Sequence, residues 1–410
     1  MAKIDDSVKK KVPDLRFKGF TDDWEERKLG DLGSVAMNKR IFKEQTSDVG
    51  DIPFYKIGTF GGTPDAFISR DIFEEYKSKY QYPEVGDILI SASGSIGRTV
   101  VYQGYDEYFQ DSNIVWLKHD QQLDNSFLKQ FYSIVKWQGL EGSTIKRLYN
   151  KNILETKITL PSPEEQQKIG SFFKQLDNTI TLHQHKLDLL KEQKKGFLQK
   201  MFPKNGAKVP ELRFAGFDDD WEQRKLGDLA EIKDSARIPN IKWQKEGVPY
   251  LRSSDLSSEH IKDGLFLSLA DYMKYDKITG SPKKGDLIFA SGGDIGLAIY
   301  KHDSLPIYVQ GGSILYVKTS KCENLDGLFL KYSFASPKVK KYIRNASTGT
   351  SLKHFVLKPA NALPISYPDL IEQEKIGSLL MQMDRTITLH QRKLDLLKEQ
   401  KKGFLQKMFV

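Results

Sequence analysis

Residues 179–202 of this chain read TITLHQHKLDLLKEQKKGFLQKMF, and residues 386–409 repeat them as TITLHQRKLDLLKEQKKGFLQKMF. The two copies differ at one of 24 positions, where His185 stands against Arg392. A second pair lies upstream of these, because residues 12–32 (VPDLRFKGFTDDWEERKLGDL) recur as residues 209–229 (VPELRFAGFDDDWEQRKLGDL) with 17 of 21 positions identical. The chain is therefore a tandem duplication of one structural unit.

Each repeated tail is predicted to form one long helix. In the first copy Ser162 can cap the helix, Pro163 suits the first helical position, and Glu165 completes a capping box. Asp369 and Glu372 stand at the matching positions of the second copy. Both helices are predicted to run for about 40 residues, or ~60 Å at 1.5 Å per residue.

Apolar residues spaced alternately four and three apart form a heptad seam along each predicted helix. Two long helices with matching seams in one chain should pair with each other; the alternative is that each packs only on its own domain. Gly196 and Gly403 interrupt the pattern, which we attribute to close helix approach or a local bend. Apolar residues off the seam leave room for a further partner: Phe172, Leu182, Leu189 and Leu198. The seam residues are Ile169, Phe173, Leu176, Ile180, Leu187 and Leu190 in the first helix, and Ile376, Leu380, Met383, Ile387, Leu394 and Leu397 in the second.

The segments between the matched ends, residues 33–160 and 230–368, share only scattered motifs. Short runs rich in Ile, Val, Tyr and Phe, separated by Gly and Pro, predict strands and turns, followed by helical stretches near residues 126–135 and 327–334. The predicted fold class is α+β, with two tandem α+β domains of one fold separated by the long helices. The two halves share their repeated ends but differ in the segments between them. We therefore expect two domains of the same fold that recognise two different targets.

Composition limits the class of protein. A chain of 410 residues with 39% apolar residues is long enough for two domains with separate cores. One cysteine, Cys322, excludes a disulfide framework and a cysteine-rich metal site, and the seven histidines show no HExxH spacing. The N-terminal residues contain no apolar core of a signal peptide, and no window approaches the ~18 apolar residues of a membrane span. The sequence therefore predicts a cytoplasmic protein that does not bind membranes.

The net charge of +9 favours a polyanionic partner, but the charge is unevenly distributed. Lys and Arg minus Asp and Glu gives 15 − 16 = −1 for residues 33–160 and 20 − 13 = +7 for residues 230–368. If both segments bind DNA, the first must use local clusters. The candidates are Lys39, Arg40 and Lys43, and Lys146, Arg147 and Lys151.

Catalytic motifs are not evident in either half. SASGSIGR (residues 91–98) lacks the GK[ST] ending of a phosphate-binding loop, and its counterpart ASGGDIGL (residues 290–297) places Asp294 where a phosphate would be repelled. We interpret this motif as a sharp turn between strands. The sequence also contains no GxGxxG fingerprint and no Asp/Asn-Pro-Pro-aromatic tetrapeptide. A recognition module is therefore favoured over an enzyme.

Several shared motifs together resemble the specificity (HsdS) subunit of type I restriction-modification enzymes. They are the frame PxLRFxGFxxxWExRKLGDL, the SxSGSIG turn, the GSTIK element before LPxPxxEQQKIG, and the long helix that follows. The most distinctive segments are EEQQKIG (residues 164–170) and IEQEKIG (residues 371–377), and the resemblance covers essentially the whole chain in both copies.

The resemblance implies that residues 12–160 and 206–368 are target recognition domains, each reading one half of a split double-stranded DNA site. Residues 161–205 and 369–410 would form an antiparallel coiled coil that sets the spacing and docks two modification subunits. Those subunits would bind S-adenosylmethionine and methylate adenine, and restriction subunits would use ATP and Mg²⁺. This chain itself would hold no cofactor and perform no catalysis. The alternatives are a coiled-coil scaffold presenting two protein-binding domains, and a standalone nuclease or methyltransferase with hidden catalytic carboxylates.

Candidate DNA contacts follow from residue type. Lys146 and Lys353 occupy matching positions after a Gly-Ser/Thr turn, where they can contact phosphate, and Lys39 and Arg40 form a local cluster. Because specificity must lie in positions that differ between the halves, and because Arg reads guanine bidentately, the base-reading candidates are Arg70, Arg98, Arg147, Arg252, Arg344 and His354. No metal site is predicted. Trp24 and Trp221 in the shared frame are expected to be core residues.

Overall fold

The computed structural model describes residues 12–140, 146–204, 206–239, 241–257, 265–349 and 353–409. The chain divides into two compact units. The first unit is Met1–Gln184 with Arg392–Val410, and the second is His185–Gln391. Each unit thus contains one α+β domain, the beginning of the long helix that follows that domain, and the end of the other long helix.

The first unit is built on three small sheets. A four-stranded antiparallel sheet has the order β2-β8-β5-β6, a three-stranded sheet has the order β4-β3-β7 with β3 and β7 parallel, and β1 pairs with β9. Its strands are β1 (Glu25–Lys28), β2 (Gly33–Ala36), β3 (Ile52–Tyr55), β4 (Phe67–Ile68), β5 (Ile88–Ser91), β6 (Thr99–Val101), β7 (Tyr108–Phe109), β8 (Ile114–His119) and β9 (Lys157–Leu160). Its helices are α1 (Leu29–Leu32), α2 (Arg70–Lys79), α3 (Asn125–Ile134), α4 (Asn150–Glu155) and the start of α5 (Pro163–Lys200), with a 3-10 turn at Lys43–Gln45.

The second unit repeats this plan with the sheet orders β11-β17-β14-β15, β13-β12-β16 and β10-β18. Its strands are β10 (Glu222–Lys225), β11 (Ile232–Asp234), β12 (Val248–Leu251), β13 (Leu265–Leu267), β14 (Leu287–Ala290), β15 (Ala298–Tyr300), β16 (Tyr308–Val309), β17 (Ile314–Val317) and β18 (Pro364–Tyr367). Its helices are α6 (Leu226–Leu229), α7 (Leu269–Thr279), α8 (Gly327–Ala335), α9 (Pro337–Ala346), α10 (Leu357–Asn361) and the start of α11 (Leu370–Met408), with 3-10 turns at Ser253–Ser257 and Thr319–Lys321. The predicted α+β class and the predicted helical stretches are confirmed.

The repeated frame closes each domain. In the first unit, Arg27 of β1 lies opposite Ile158 of β9, the strand that leads into α5. In the second unit, Arg224 of β10 lies opposite Ile365 of β18, which leads into α11. The two ends of each half therefore form one ladder, and a change at either end would disturb the same strand pair.

Each repeated helix tail lies in the core of one unit. In the first unit Trp24, Phe127 and Phe409 form a cluster whose ring centroids are 5.0–6.4 Å apart. In the second unit Trp221, Phe329 and Phe202 repeat it at 5.5–6.2 Å. Trp24 and Trp221 are 2% and 4% exposed, so the prediction that they are core residues is confirmed.

The long helices start as predicted, but their first glutamates have another role. The Ser162 hydroxyl accepts from the Glu165 N–H at 3.3 Å, and the Asp369 carboxylate accepts from the Glu372 N–H at 2.9 Å. The glutamate side chains do not complete capping boxes, and that expectation was wrong. Arg16 donates two bonds of 2.7 and 2.8 Å to the buried carboxylate of Glu165 instead, because its guanidinium provides two charge-assisted bonds.

Within each unit, the start of one long helix packs against the end of the other. Phe172 and Phe404 lie 5.1 Å apart between ring centroids in the first unit, and Lys194 pairs with Asp384 in the second. The two helices are thus antiparallel, and the alternative that each packs only on its own domain is wrong. The first seam residues also enter the domain cores. Fully buried seam residues are Ile169, Phe173, Leu187, Ile376, Leu380, Leu394 and Leu397, and half-buried ones are Leu176, Ile180, Leu190, Met383 and Ile387.

Glycines on the long helices show where close approach occurs. A β-carbon at Gly196 or Gly403 would meet nothing within 4 Å among the residues described, so the expectation of close helix approach there was wrong. A β-carbon at Gly170 would instead collide with the Ser126 hydroxyl, and one at Gly377 would lie 3.2 Å from the Phe329 backbone nitrogen. The close approach is between the start of each long helix and its own domain.

Candidate nucleic-acid interface

A Gly-rich turn projects from the main sheet of each unit. In the first unit it joins β5 to β6, and Gly94 and Gly97 adopt φ values of 64° and 83°. In the second unit it joins β14 to β15, with φ values of 72° and 81° at Gly293 and Gly296. Positive φ explains the glycines without any bound phosphate. The interpretation of this motif as a turn between strands is confirmed.

The segment after the GSTIK element lies alongside this turn. The Leu148 N–H donates to the Ala92 carbonyl at 2.8 Å, and Arg147 forms an isolated bridge with Ser93. The second unit repeats the contact, since the Phe355 N–H donates to the Ser291 carbonyl at 2.8 Å. Residues 142–145 and 350–352 of these elements lie outside the described residues, but Lys146 and Lys353 are described and exposed.

In the first unit the predicted residues Arg40 and Arg147 both contact the loop before β8. Arg147 donates to the Asn113 side-chain oxygen at 3.1 Å, and the Ser93 hydroxyl donates to the same atom at 2.7 Å. Arg40 donates to Asp111 at 2.9 Å. We call these five residues, Arg40, Ser93, Asp111, Asn113 and Arg147, the first turn cluster.

The second unit has a different set of side chains at the same place. Gly312 donates its N–H to Asp234 at 2.9 Å, and a β-carbon on Gly312 would lie 2.8 Å from the Arg237 guanidinium. The His354 ring lies against Gly292, where a β-carbon would be 2.8 Å away. We call Asp234, Arg237, Gly312 and His354 the second turn cluster. The two clusters share backbone geometry and differ in the groups they present.

Sequence reasoning missed Asp111, Asn113 and Arg237. Arg237 could have been found, because the matched frame places it 197 residues after Arg40, as Leu229 follows Leu32. Asp111 and Asn113 carried no signal, since the second half has Gly311 and Ser313 there.

Helix α9 adds a basic cavity to the second unit. The cavity has a volume of about 570 Å³, and five cationic side chains line it against two carboxylates, Asp294 and Asp384. Burial lowers the pKa of Lys331 despite its bond to Asp384. An anion bound in the cavity would therefore favour the charged form of this lysine. Arg344 and Lys353 are thereby brought together. The cationic residues are Lys194, Lys331, Lys340, Arg344 and Lys353.

The remaining predicted residues form contacts in other parts of their own units. Arg70 donates to Asp106 at 3.1 Å, and this bond raises the pKa of Arg70. Arg98 donates to the Gly61 carbonyl at 3.1 Å, and Lys39 lies 5.0 Å from the centre of the Tyr80 ring. Arg252 makes bonds of 2.9 and 2.8 Å to Asp255 with two donors that guanine would otherwise engage. Their roles in DNA binding remain predictions.

The described residues contain no group of three or more His, Cys, Asp or Glu side chains placed to hold a metal ion. Among the helices described, none combines the length and apolarity needed to cross a membrane.

Comparison with known proteins identifies the family. The sequence model of the type I restriction modification DNA specificity domain matches twice, at residues 21–192 and 218–399. The chain belongs to this family. The two matches together cover most of the chain, so the family predicted from the repeated motifs is confirmed. The DNA-specificity interpretation is thereby favoured over the scaffold alternative.

Individual relatives agree with this assignment. A Haemophilus influenzae protein, provisionally named type I restriction enzyme specificity subunit S.HindORF215P, is 58% identical over 157 residues, which is 37% of this chain and 41% of that protein. A Methanocaldococcus jannaschii protein, provisionally named the MjaX specificity subunit, is 24% identical over 409 residues, covering 94% of this chain and 92% of its own length. The fold resembles the crystal structure of the type I restriction-modification S subunit from M. genitalium with a TM-score of 0.64, at 16% identity over 97% of this chain and 99% of that one.

Proposed function

We propose that this chain is the non-catalytic DNA specificity subunit of a type I restriction-modification complex, and that each unit reads one half of a bipartite DNA site. The two turn clusters carry this proposal. They stand on the same strand-turn-strand frame in a family of DNA specificity domains, yet they present different side chains. Discrimination between two half-sites requires this combination of a shared scaffold and different reading groups.

In the first half, Arg147 is the main base-reading candidate. Its guanidinium is oriented by Asn113 and by the Ser112 carbonyl, at 3.1 and 3.3 Å, so little conformational entropy is lost when it meets a base. Arginine pairs bidentately with the O6 and N7 of guanine. Lys146 is adjacent and exposed, where it can neutralise a phosphate.

In the second half, His354 takes the position of Arg147, and the basic cavity provides phosphate contacts. Lys340, Arg344 and Lys353 line this cavity, and helix α9 contributes the first two. Phosphate contacts fix position without reading sequence, so these cations support the affinity of the second half. The first half lacks this bulk charge and relies on its local cluster.

The long helices are the elements we propose to set the spacing of the half-sites and to dock partner subunits. We propose that two modification subunits bind along the helices, hold S-adenosylmethionine, and methylate an adenine flipped from the duplex. Restriction subunits would join them and use ATP and Mg²⁺. Helices of ~60 Å suit half-sites about one turn, ~34 Å, apart. The complex would act in the cytoplasm, where the cell's DNA is found.

The experiment is methylation sequencing of DNA from a host that lacks such systems and that expresses this chain with its modification subunit. Methyladenine at one split, asymmetric motif is the expected result. Methylation that does not depend on this chain, or that is unrelated to a split motif, would refute the proposal.

A further inference from the structure

A cleft lies between the recognition domain and helix α5 of the first unit. It has a volume of about 920 Å³, within the usual range of ligand sites. Strand β6, helix α3 and the first turns of α5 contribute its walls. We call it the first-unit cleft. Neither turn cluster contributes to it.

Gln130 of α3 lines this cleft and is 1% exposed, yet its side-chain oxygen has no hydrogen-bond partner among the described residues. A buried acceptor left without a donor destabilises the folded state. Native proteins rarely retain such a group without a ligand or water to satisfy it. Gln130 is therefore a lining residue whose side-chain acceptor the described residues leave without a donor.

The lining chemistry suits a polypeptide main chain. An amide side chain donates and accepts at once, which matches the N–H and C=O of a peptide group. The charged lining residues are Lys129, Lys174, Asp124, Glu164 and Asp177, giving 2 − 3 = −1, so the cleft does not attract a polyanion such as DNA. The amides are Gln103, Gln121, Asn125, Gln130, Gln167 and Asn178.

The second unit does not repeat this lining. Tyr332 occupies the position of Gln130, and its hydroxyl donates to Asp384 at 2.8 Å, so no acceptor is left unsatisfied there. Other lining positions also carry different residues in the two halves. Gln103, Ser126, Lys174 and Asn178 correspond to His302, Leu328, Met381 and Arg385.

We propose that the first-unit cleft binds one extended main-chain segment of a modification subunit, so that the two modification subunits are held unequally. The inference rests on the proposed function, because it requires that such subunits assemble on this chain. It goes beyond that function because the duplicated helices alone would suggest two equivalent binding sites for the modification subunits, and the first-unit cleft makes the two sites different. One modification subunit has a contact that the other lacks.

A photo-crosslinking amino acid placed at Gln103 in the complete complex tests the occupant. His302, at the matching position of the second unit, is the control site. We expect Gln103 to crosslink to one segment of the modification subunit, and His302 not to crosslink to that segment. No crosslink from Gln103, a crosslink to DNA or to a restriction subunit, or the same crosslink from both sites would overturn the proposal.

A second experiment places the arginine of the other half in the cleft. The variant N178R should weaken binding of one modification subunit at least about tenfold, while the thermal unfolding midpoint of the free chain stays unchanged because Asn178 is exposed. Native mass spectrometry should then show one bound subunit at concentrations where the wild type binds two. Unchanged binding of two subunits would overturn the proposal. A wild-type chain that directs no methylation would refute the proposed function instead.

Discussion

The Lys401 ammonium lies 2.6 Å from one carboxylate oxygen of Asp177, although the two residues are 224 positions apart and belong to different long helices. Lys129 of α3 binds the other oxygen at 3.1 Å. In the second unit Asp384 pairs in the same way with Lys194 and Lys331. Each triad joins a recognition domain to the start of its own helix and to the end of the other helix.

The first prediction concerns this triad. The variant D177N should lower the free energy of unfolding by about 1–3 kcal/mol, because two lysines at a partly buried site lose their counter-charge. Urea unfolding followed by tryptophan fluorescence measures the loss, since Trp24 lies in the core of the same unit. The control K195A removes an exposed pair with Glu192 and should change stability by less than about 1 kcal/mol. Equal effects of the two variants would contradict this role.

The triad also predicts a pH dependence. Burial opposes ionisation of Asp177, but the bond from Lys401 and the charge of Lys129 bring its pKa below the ordinary value. A carboxyl with a lowered folded pKa stabilises the protein above its unfolded pKa of about 3.9 and loses that contribution as pH falls through the folded pKa. The stability difference between wild type and D177N should therefore shrink below about pH 4. A difference that grows on acidification would be inconsistent with this account.

The second prediction concerns Arg16, which binds Glu165 at the start of α5. Glu165 is fully buried, so the R16M variant leaves an uncompensated carboxylate and should cost about 3–5 kcal/mol. The double variant R16M/E165Q should recover much of the loss because the buried charge is removed. Thermal unfolding provides the measurement. A double variant less stable than R16M would show that the charge is not the cause.

The third prediction compares two helix glycines of α5. G170A should destabilise the protein, because the added carbon collides with Ser126 of the adjacent domain helix. G196A should stabilise it by about 0.5–1 kcal/mol, because alanine is the better helix former and meets nothing there. Calorimetry on both variants decides the matter. Stabilisation by G170A would mean that the domain does not lie so close to the helix.

The fourth prediction concerns base reading. R147A should relax one position of the first half-site, with a loss of discrimination of about 1–3 kcal/mol, and should leave the second half-site unchanged. H354A should do the reverse. Methylation sequencing of both variants measures the motifs, with K79A as a control, because Lys79 pairs with Glu75 on the exposed side of α2. Relaxation of the same half-site by both variants would contradict the assignment of one half-site to each unit.

Local patterns in the sequence predict the duplication, the long helices, the buried tryptophans and the Gly-rich turns, because each depends on spacing or residue type within a short segment. The contacts of Arg16 with Glu165 and of Asp177 with Lys401 join segments far apart in the chain, and no local pattern specifies them. The helix tails are identical at 23 of 24 positions, so their sequence cannot reveal which tail lies in which core. Asp111 and Asn113 could not be predicted because the second half has no matching side chains.

The most direct test of the central claim is methylation sequencing with an exchanged chain. Residues 230–367 would replace residues 33–160, so that both positions carry the second variable segment within the repeated frame. We expect a symmetric split motif made of two copies of the second half-site, because each unit reads through its own turn cluster. A motif that still contains the first half-site would contradict the account, since the residues proposed to read it would be gone.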